Sequence, residues 1–339
     1  MHTIQASCVG SALAQGIRLL KERGIDSESR GGKVRTVMSP VMTVYSDPTR
    51  RVLLDPVRNA NPFFHLFESM WMLAGRDDGT WLDRYVKNFS VRFGEDDQAG
   101  RIHGAYGARW RGWFMSSNTE QSSKDLPDQL NIAVKLLREN HNDRQVVVSM
   151  WDPRYDLDVV ARDRPCNTHI YFRIRNWSDG PSLDMTVCCR SNDMFMGAYG
   201  ANAVHMSVLQ EYIATMVGVS VGNYYQMSND FHAYERDLIA FAEANDEDSL
   251  VSSYDPSPLF TSKGSTTLDV EIRSWCRAPS DRLLNNNPQL FDDLLVPMSQ
   301  THDLVYNKHY RKALIEVARV KHKDWREAAK EWIERKIAK

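Results

Sequence analysis

Hydrophobic positions along this chain alternate between strand-like and helix-like spacing, without an internal repeat. Residues 34–54 are rich in β-branched residues interrupted by turn formers, which predicts strands. The segment 61–78, NPFFHLFESMWMLAGRDD, carries apolar residues at helical spacing and has Pro62 where a first helical turn tolerates it. This segment predicts a mostly buried helix that ends near Gly75 and nevertheless contains Glu68.

Three further apolar runs predict core strands of one sheet, because each is rich in β-branched residues and is bounded by Pro, Asp or Gly. A polar loop, residues 153–166, joins the first run to the second and places Cys166 at the start of a strand. Residues 202–217 have helical periodicity that stops at Gly218, a residue typical of helix ends. The three runs are RQVVVSMWDP, THIYFRIRNW and SLDMTVCCRS.

The two ends of the chain differ in character. Residues 1–24 predict an amphipathic helix and do not resemble a secretory signal. Residues 256–299 are rich in Ser, Pro, Asn and Asp, which predicts loops. Residues 309–339 predict a charged helical tail that packs on its own domain. The apolar side of that tail carries Leu314, Val317, Trp325 and Trp332.

Composition narrows the class of protein. With 339 residues, 42% hydrophobic and 25% charged, the chain can bury a large core. A formal net charge of −2 argues against a protein that coats nucleic acid. No apolar run is long enough to cross a bilayer, so we expect a cytoplasmic protein. The five cysteines form no CxxC pattern, which predicts reduced thiols and no metal site.

Cys166 is the first candidate for chemistry. It precedes a predicted strand and has Arg154, Arg162 and Arg164 nearby in sequence, whose positive potential would favour the nucleophilic thiolate. The alternative is a half-buried structural thiol, because cysteine is among the most buried residue types. The neighbouring motifs favour the first interpretation.

Six segments occur in unbroken order between about residues 30 and 256: FESMWMLAGRDD, HGAYGARWR, DRQVVVSMW, RPCNTHIYF, CRSNDMFMGAYGANA and NDFHAYERD. Together these segments resemble the thymidylate synthases and the related pyrimidine nucleotide hydroxymethylases. One segment alone would be a weak match. The resemblance implies an α+β, thymidylate synthase-like fold with a large twisted mixed β-sheet covered by helices, assembled as a homodimer. It places the catalytic domain at 1–256 and leaves 257–339 as a loop-rich and helical C-terminal extension.

The resemblance implies three catalytic residues. Cys166 matches the nucleophile that adds to C6 of a pyrimidine nucleoside monophosphate. Glu68 matches a buried carboxylate that organises water and proton transfers, a task that suits the raised pKa of a buried acid. Tyr106 matches the tyrosine that helps to remove the C5 proton. The one-carbon donor would be 5,10-methylenetetrahydrofolate, a co-substrate, with no metal.

The resemblance also implies the phosphate site. Arg190 and Ser191 match the pair that binds the phosphate, where a guanidinium and a hydroxyl contact anionic oxygens. Arg144 matches an arginine donated across the homodimer, which would make the phosphate site a shared one. Arg30 matches the phosphate-binding arginine of a mobile loop, with Arg35 as the nearby alternative.

Further matches concern the sugar and the folate. His232 and Tyr234 match the pair that bonds the sugar hydroxyl, although His232 could have a purely structural role. Asp193 matches the aspartate that binds the folate pterin, and Gly197 the glycine that allows close approach beside it. Arg190 and Asp193 could alternatively form a surface ion pair.

Three departures from the synthase pattern affect the reaction. The asparagine that pairs with the uracil edge falls on Ala201, with Asn202 one residue late, and alanine cannot select a base by hydrogen bonding. The RSND spelling that contains Asp193 is typical of hydroxymethylases. Ser90 and Phe93 stand where synthases place two tryptophans, and a small polar Ser90 would admit water to the methylene on C5. Water at that carbon gives a hydroxymethyl product, whereas hydride gives methyl.

The sequence therefore predicts C5 hydroxymethylation of a pyrimidine nucleotide, with dCMP favoured and dUMP or CMP possible. Such enzymes supply modified bases for DNA, which suggests a bacterium or a phage-infected host. A thymidylate synthase that makes dTMP is the first alternative. The second is a non-catalytic family member that binds nucleic acid through its basic C-terminal helix, which the presence of Cys166, Glu68 and Tyr106 together disfavours.

Overall fold

The computed structural model describes residues 1–54, 58–97, 99–113, 128–159, 161–244, 255–277 and 287–338. The strands are β1 (His2–Ala6), β2 (Gly24–Ser29), β3 (Gly32–Val37), β4 (Val41–Tyr45), β5 (Val147–Ser149), β6 (Asn167–Trp177), β7 (Gly180–Cys189), β8 (Asn192–Asp193), β9 (Ser220–Ser228) and β10 (Phe231–Tyr234).

Helices account for most of the remaining described residues. The α-helices are α1 (Val9–Arg23), α2 (Pro62–Leu73), α3 (Gly79–Leu82), α4 (Phe89–Phe93), α5 (Tyr106–Arg111), α6 (Gln129–Glu139), α7 (Pro153–Asp156), α8 (Ala201–Val217), α9 (Glu235–Ala244), α10 (Leu268–Arg277), α11 (Pro288–Leu290), α12 (Val296–Tyr306), α13 (Tyr310–Glu316) and α14 (Lys323–Ile337). Met194–Ala198 and Phe291–Leu295 form π-helical turns. Within these ranges no helix has the length and apolar character needed to span a bilayer.

A six-stranded mixed sheet, in the order β1-β4-β9-β7-β6-β5, forms the centre of the fold. β1 pairs with β4 and β7 with β9 in parallel, and the other neighbours are antiparallel. On β6, Ile170, Phe172 and Ile174 are buried, whereas the intervening Tyr171 is 45% exposed. One face of the sheet is therefore covered by helices, and the other is open in a single chain.

A second, four-stranded sheet has the order β2-β3-β10-β8. It supplies part of the site. β10 is antiparallel to β3 and parallel to β8. The register sets His232 opposite both Thr36 of β3 and Asp193 of β8. Polar residues from three distant segments therefore meet at β10.

Helices α2 and α8 occupy the core. Asn61 caps α2 by accepting a hydrogen bond from the Phe64 backbone N–H at 3.1 Å, and Pro62 follows as the first helical residue. Every residue of α8 from Ala203 to Met216 is buried, as expected for a helix that is enclosed on all sides. α8 ends at Gly218, whose positive φ of 94° favours glycine.

The C-terminal helices pack against α2 and share its hydrophobic core. The Trp275 ring of α10 stacks on Phe67 at 5.4 Å, and the Trp332 ring of α14 meets Phe63 edge-on at 5.6 Å. Cys276 lies against the same helix, with its Sγ 3.4 Å from a backbone oxygen of α2. The extension predicted at 257–339 thus covers one side of the helix that carries the predicted catalytic carboxylate.

Several predictions of local structure are confirmed, and others are wrong. The buried helix at 62–73, three neighbouring core strands and α8 are as predicted. Residues 2–6 form a strand where an amphipathic helix was expected, because they pair with β4. Residues 256–299 contain α10, α11 and the start of α12, since buried positions 268, 272, 275 and 276 follow helical spacing despite the polar flanks.

Candidate active site

The pairing of β6 with β7 builds the centre of the site. Asn167 pairs with Cys189 across these strands, so the residues just outside the ladder, Cys166 and Arg190, become neighbours. The Arg190 backbone N–H donates to the Cys166 backbone oxygen at 2.8 Å. The predicted nucleophile and the predicted phosphate arginine therefore share one sheet end.

Two cavities meet at Cys166. The first, called the polar chamber, has a volume of about 670 Å³ and is lined by the β2–β3 hairpin, the loop before Cys166 and β10. The second, called the apolar chamber, has a volume of about 340 Å³ and is lined by α2, α4, α5 and the start of α8. Four residues line both chambers: Asp163, Cys166, Ser191 and Asp193.

The thiol of Cys166 is partly buried and faces a guanidinium. Its Sγ lies 3.9 Å from Nη2 of Arg190. Burial raises the pKa of the Cys166 thiol, while Arg190 and Arg30 oppose that shift. The positive potential therefore comes from Arg190 and Arg30. It does not come from Arg154, which the sequence suggested and which pairs with Asp152 at 2.9 Å.

Tyr106 holds the backbone of the nucleophile. Its hydroxyl oxygen accepts hydrogen bonds from the backbone N–H groups of Cys166 and Asn167, each at 3.2 Å. Burial raises the pKa of Tyr106 well above its usual range, so the phenol is neutral at physiological pH. Two donors already aimed at its oxygen would stabilise a transient negative charge there.

Glu68 projects from α2 into the apolar chamber and is 8% exposed. Its Oε2 lies 3.1 Å from Nε2 of His205 on α8. Burial raises the pKa of Glu68 well above its usual range and lowers that of His205, and the nearby Asp163 raises the Glu68 pKa further. Both shifts favour an uncharged pair, with a proton on Glu68.

The β2–β3 hairpin separates the two arginines proposed for the phosphate. Arg30 lies at the hairpin tip and lines the polar chamber. Arg35 turns away, donating to Asp26 Oδ1 at 2.8 Å and to the Leu20 backbone oxygen at 2.9 Å. Of the two, Arg30 is the one placed to contact a ligand in this chamber.

The far wall of the polar chamber carries hydroxyl, carboxylate and imidazole groups. Ser191 Oγ donates to Asp230 Oδ2 at 3.4 Å, and His232 Nδ1 lies 3.5 Å from the same oxygen. Burial lowers the pKa of His232, but Asp230 more than offsets this, and the net shift is upward. Tyr234 lines the same wall, with its ring 6.0 Å from that of His232.

Asp193 stands at the boundary of the chambers. Its Oδ1 accepts from the Met196 backbone N–H at 2.6 Å, whereas its buried Oδ2 has no partner. Burial raises the pKa of Asp193. Gly197 follows within the π-helical turn, where an added Cβ would lie 2.4 Å from Asn192 Oδ1. The unpaired oxygen is a free acceptor for a ligand donor.

Asn202 lies in the apolar chamber within a series of amides. Its Oδ1 accepts from Asn167 Nδ2 at 3.2 Å, and its Nδ2 donates to Asn192 Oδ1 at 3.1 Å. The π-helical turn at residues 194–198 lies just before the segment that contains Asn202. An amide therefore reaches the chamber, together with Ala201.

Ser90 does not line either chamber. Its hydroxyl donates to Asp83 Oδ2 at 2.6 Å, and its neighbours on α4, Phe89 and Phe93, line the apolar chamber in its place. The prediction that Ser90 admits water to the substrate is therefore wrong. Of the two residues that the sequence placed here, Phe93 lines the chamber and Ser90 does not, because Phe89 and Phe93 share one face of the helix.

Arg144 also lies outside both chambers. It lines surface pockets with Asn140, Asn142 and Tyr171, near the open face of the large sheet. The Arg173 guanidinium fixes this turn by donating to the backbone oxygens of Asn142 and Asp143. Within one chain, the structure does not bring Arg144 to Cys166.

Sequence reasoning missed Asp163 and His205, two residues of the apolar chamber. Asp163 looked like an ordinary charge in an arginine-rich loop. Burial raises the pKa of Asp163 to about 6, a shift that His103, Arg109 and Arg190 reduce. Among the described residues, no cluster of three or more His, Cys, Asp or Glu side chains could hold a metal ion.

Comparisons with known proteins agree with this arrangement. Residues 17–249 match the family model described as thymidylate synthase. The chain is 38% identical to a deoxyuridylate hydroxymethyltransferase of Pseudomonas phage M6, in an alignment that spans 100% of this chain and 95% of that protein. It is 36% identical to a deoxyuridylate hydroxymethyltransferase of Bacillus phage SP01, over 60% of this chain and 51% of that protein.

Proposed function

Since this chain belongs to the thymidylate synthase family and is a one-carbon transferase, we propose that it adds a hydroxymethyl group to C5 of dUMP. The one-carbon donor would be 5,10-methylenetetrahydrofolate, and water would supply the hydroxyl. The observation that carries the proposal is the position of Cys166, at the junction of an arginine-lined chamber and an aromatic one.

The polar chamber suits the phosphate and sugar of a nucleotide. Arg190, Arg30 and the Ser191 hydroxyl provide charge-assisted and neutral donors for phosphate oxygens. His232 and Tyr234 are available to hydrogen-bond a sugar hydroxyl. The base of a nucleotide held in this way would lie at the boundary between the two chambers, next to Cys166.

The amide of Asn202 can pair with uracil. Uracil offers an acceptor at O4 and a donor at N3, and one amide can pair with both. Two phage relatives are named deoxyuridylate hydroxymethyltransferases. With the pairing, these names lead us to propose dUMP in place of dCMP, which the sequence analysis favoured.

The apolar chamber fits a folate. Phe64, Trp71 and Phe93 offer flat apolar surfaces for a ring, and the unpaired Oδ2 of Asp193 offers an acceptor for the amino and N–H groups of a pterin. When bound there, the folate would supply carbon at the formaldehyde oxidation level and leave as tetrahydrofolate. A product at that level needs water and no hydride.

Each catalytic residue has a task that its surroundings support. The Cys166 thiol gives up its proton and its sulfur bonds to C6, and the guanidinium of Arg190 stabilises the thiolate that forms. Protonated Glu68 donates towards the base and stabilises the negative charge that develops on it. The Tyr106 hydroxyl relays the C5 proton, with its oxygen stabilised by two backbone N–H groups.

We also propose a homodimer in a bacterial or phage-infected host, serving nucleotide biosynthesis for DNA modification. The open face of the large sheet supports the dimer, because Val147 is 43% and Tyr171 45% exposed there. Arg144 lies at that face, where it could enter the polar chamber of a second copy. Sedimentation of the purified protein tests the assembly.

Product analysis tests the proposed reaction. The protein is incubated with methylenetetrahydrofolate and, in parallel, dUMP, dCMP or CMP, and the nucleotides are identified by mass spectrometry. We expect hydroxymethyl-dUMP with tetrahydrofolate as the second product. A methyl product accompanied by dihydrofolate would indicate a thymidylate synthase, and no turnover of any nucleotide would support a non-catalytic role.

A further inference from the structure

Three carboxyl side chains line the apolar chamber: Glu68, Asp163 and Asp193. Asp193 has one oxygen committed to the Met196 backbone and is placed for the folate. Glu68 and Asp163 remain for proton transfer on the pyrimidine. The reaction includes two separate deprotonations. One removes the proton on C5, and the other removes a proton from the water that is added, so two proton acceptors are required.

The surroundings separate the two carboxyl groups. Glu68 lies against His205, and burial together with the charge of Asp163 keeps its proton bound. Asp163 is partly exposed, because it also lines the polar chamber. Two acids in one site whose pKa values are pushed apart are suited to opposite tasks, one as proton donor and one as proton acceptor.

Asp163 is held in position by close backbone approach. A Cβ placed on Gly104 would lie 2.5 Å from Asp163 Oδ2, so the carboxylate rests directly on that glycine. Charged and titratable groups surround this carboxylate. His103, Arg109 and Arg190 favour its ionised form. Its negative charge in turn raises the pKa values of Glu68, Tyr106 and Cys166.

We propose that Asp163 is the general base that takes a proton from the water added to the C5 methylene. This inference rests on the proposed function. The water oxygen bonds to the methylene carbon as one of its protons passes to the Asp163 carboxylate, and the electrons of the exocyclic double bond move to O4 of the ring as an enolate. The enolate then re-forms the C4 carbonyl and the C5–C6 double bond while the Cys166 sulfur leaves C6. The proton on Asp163 escapes to solvent through the polar chamber.

The test separates water addition from the earlier steps. dUMP tritiated at C5 is mixed with methylenetetrahydrofolate and excess enzyme, and both tritium release and hydroxymethyl product are followed. In Asp163→Asn we expect tritium release in the first turnover to persist, while hydroxymethyl formation falls about 10²- to 10⁴-fold, the usual contribution of a general base. Added 2-mercaptoethanol should then trap the methylene as a thioether.

A matched variant controls for loss of charge in the same loop. Asp158→Asn removes an exposed carboxylate that lines neither chamber, and it should leave both rates unchanged. In the wild type, the single-turnover rate of hydroxymethyl formation relative to that of tritium release should fall as the pH drops below about 6, because burial holds the pKa of Asp163 there.

A stability measurement excludes misfolding. Because the folded protein binds the Asp163 proton more tightly than the unfolded chain, with pKa values of about 6 and 3.8, the wild type loses stability as the pH rises between these values. Asp163→Asn lacks this loss and should unfold at a temperature at least as high as the wild type at pH 8.

Two results would overturn this inference and leave the proposed function standing. Undiminished hydroxymethyl formation in Asp163→Asn would exclude a general base at this position. Equal loss of tritium release and of product would show that Asp163 acts at or before removal of the C5 proton. A wild type that makes methyl product, or none, would overturn the proposed function and this inference with it.

Discussion

The two chambers that meet at Cys166 are built in different ways. The polar chamber comes from strand ends and a hairpin, and its charged groups are largely held by one another, as Asp230 is by Ser191 and His232. The apolar chamber comes from helices that are far apart in sequence, and Glu68 is buried there beside aromatic residues. The polar chamber therefore suits an anionic group, whereas burial in the apolar chamber shifts proton affinities.

The thiol experiences both environments at once. Burial raises its pKa, and Arg190 from the polar side lowers it. A nucleophile balanced in this way is largely protonated at rest and becomes reactive when its surroundings stabilise the thiolate. The predictions below begin with the residue that both chambers share and then address each chamber separately.

Replacing Cys166 by Ser should have the largest effect. Because the reaction requires a sulfur–C6 bond, we expect activity to fall by at least about 10⁴-fold, as for loss of a nucleophile in other enzymes. Steady-state assays of product formation measure this loss. Cys188→Ser, which alters a partly buried strand cysteine outside both chambers, should be nearly as active as the wild type. Equal loss in the two variants would contradict the assignment.

In the apolar chamber, Glu68→Gln should lower kcat about 10²- to 10⁴-fold, because the amide keeps the shape but cannot transfer the carboxyl proton. The KM for dUMP should change little, since Glu68 does not line the polar chamber, where the phosphate would bind. Separate kcat and KM measurements distinguish the two. A rise in KM with an unchanged kcat would show that Glu68 only binds the substrate.

In the polar chamber, Arg30→Ala should weaken nucleotide binding with little effect on chemistry. Loss of one charge-assisted hydrogen bond, worth about 1.5–3 kcal/mol, corresponds to a rise of about 10- to 100-fold in the Kd for dUMP. Isothermal titration measures that constant. Arg35→Ala, on the same hairpin but bonded to Asp26 and Leu20, is the matched control and should bind dUMP normally. Normal dUMP binding in Arg30→Ala together with weakened binding in Arg35→Ala would show that Arg35, and not Arg30, binds the phosphate.

At the boundary between the two chambers, Asp193→Asn should have the smallest of these effects, and it should affect folate binding alone. The amide oxygen can keep the hydrogen bond from the Met196 backbone, while the unpaired acceptor is replaced by an NH2 donor that cannot accept from a pterin. We expect the KM for the folate to rise about 10-fold, which corresponds to the lower end of the usual contribution of one charge-assisted hydrogen bond, with dUMP binding unchanged. A larger effect on dUMP than on folate would place Asp193 on the nucleotide side.

Contiguous motifs explain why much of the site was predictable from sequence. Arg190 and Ser191 follow one apolar strand directly and Cys166 precedes another, so simple antiparallel pairing unites them. Glu68 was detectable as a charged residue within an apolar helix. The C-terminal helices were harder to predict, because the amphipathic segment at 268–277 lies between polar flanks.

Other residues acquire their role only through contacts between distant segments. Asp163 can rest against Gly104 because that residue lacks a side chain, and no pattern within its own loop reveals this contact. Ser90 and Phe89 are adjacent in sequence, and only the rotation of α4 decides which of them faces the chamber. Arg30 and Arg35 differ in function because the hairpin turns them in different directions.

Formation of a covalent bond between Cys166 and the pyrimidine is the central claim, and it can be measured directly. The protein is mixed with methylenetetrahydrofolate and 5-fluoro-dUMP, whose fluorine cannot leave C5 as a cation, and intact mass and peptide mapping follow. We expect the combined mass of nucleotide and folate on the peptide that contains Cys166, and no addition in Cys166→Ser. An adduct on another residue, or hydroxymethyl-dUMP formation by Cys166→Ser, would contradict the account.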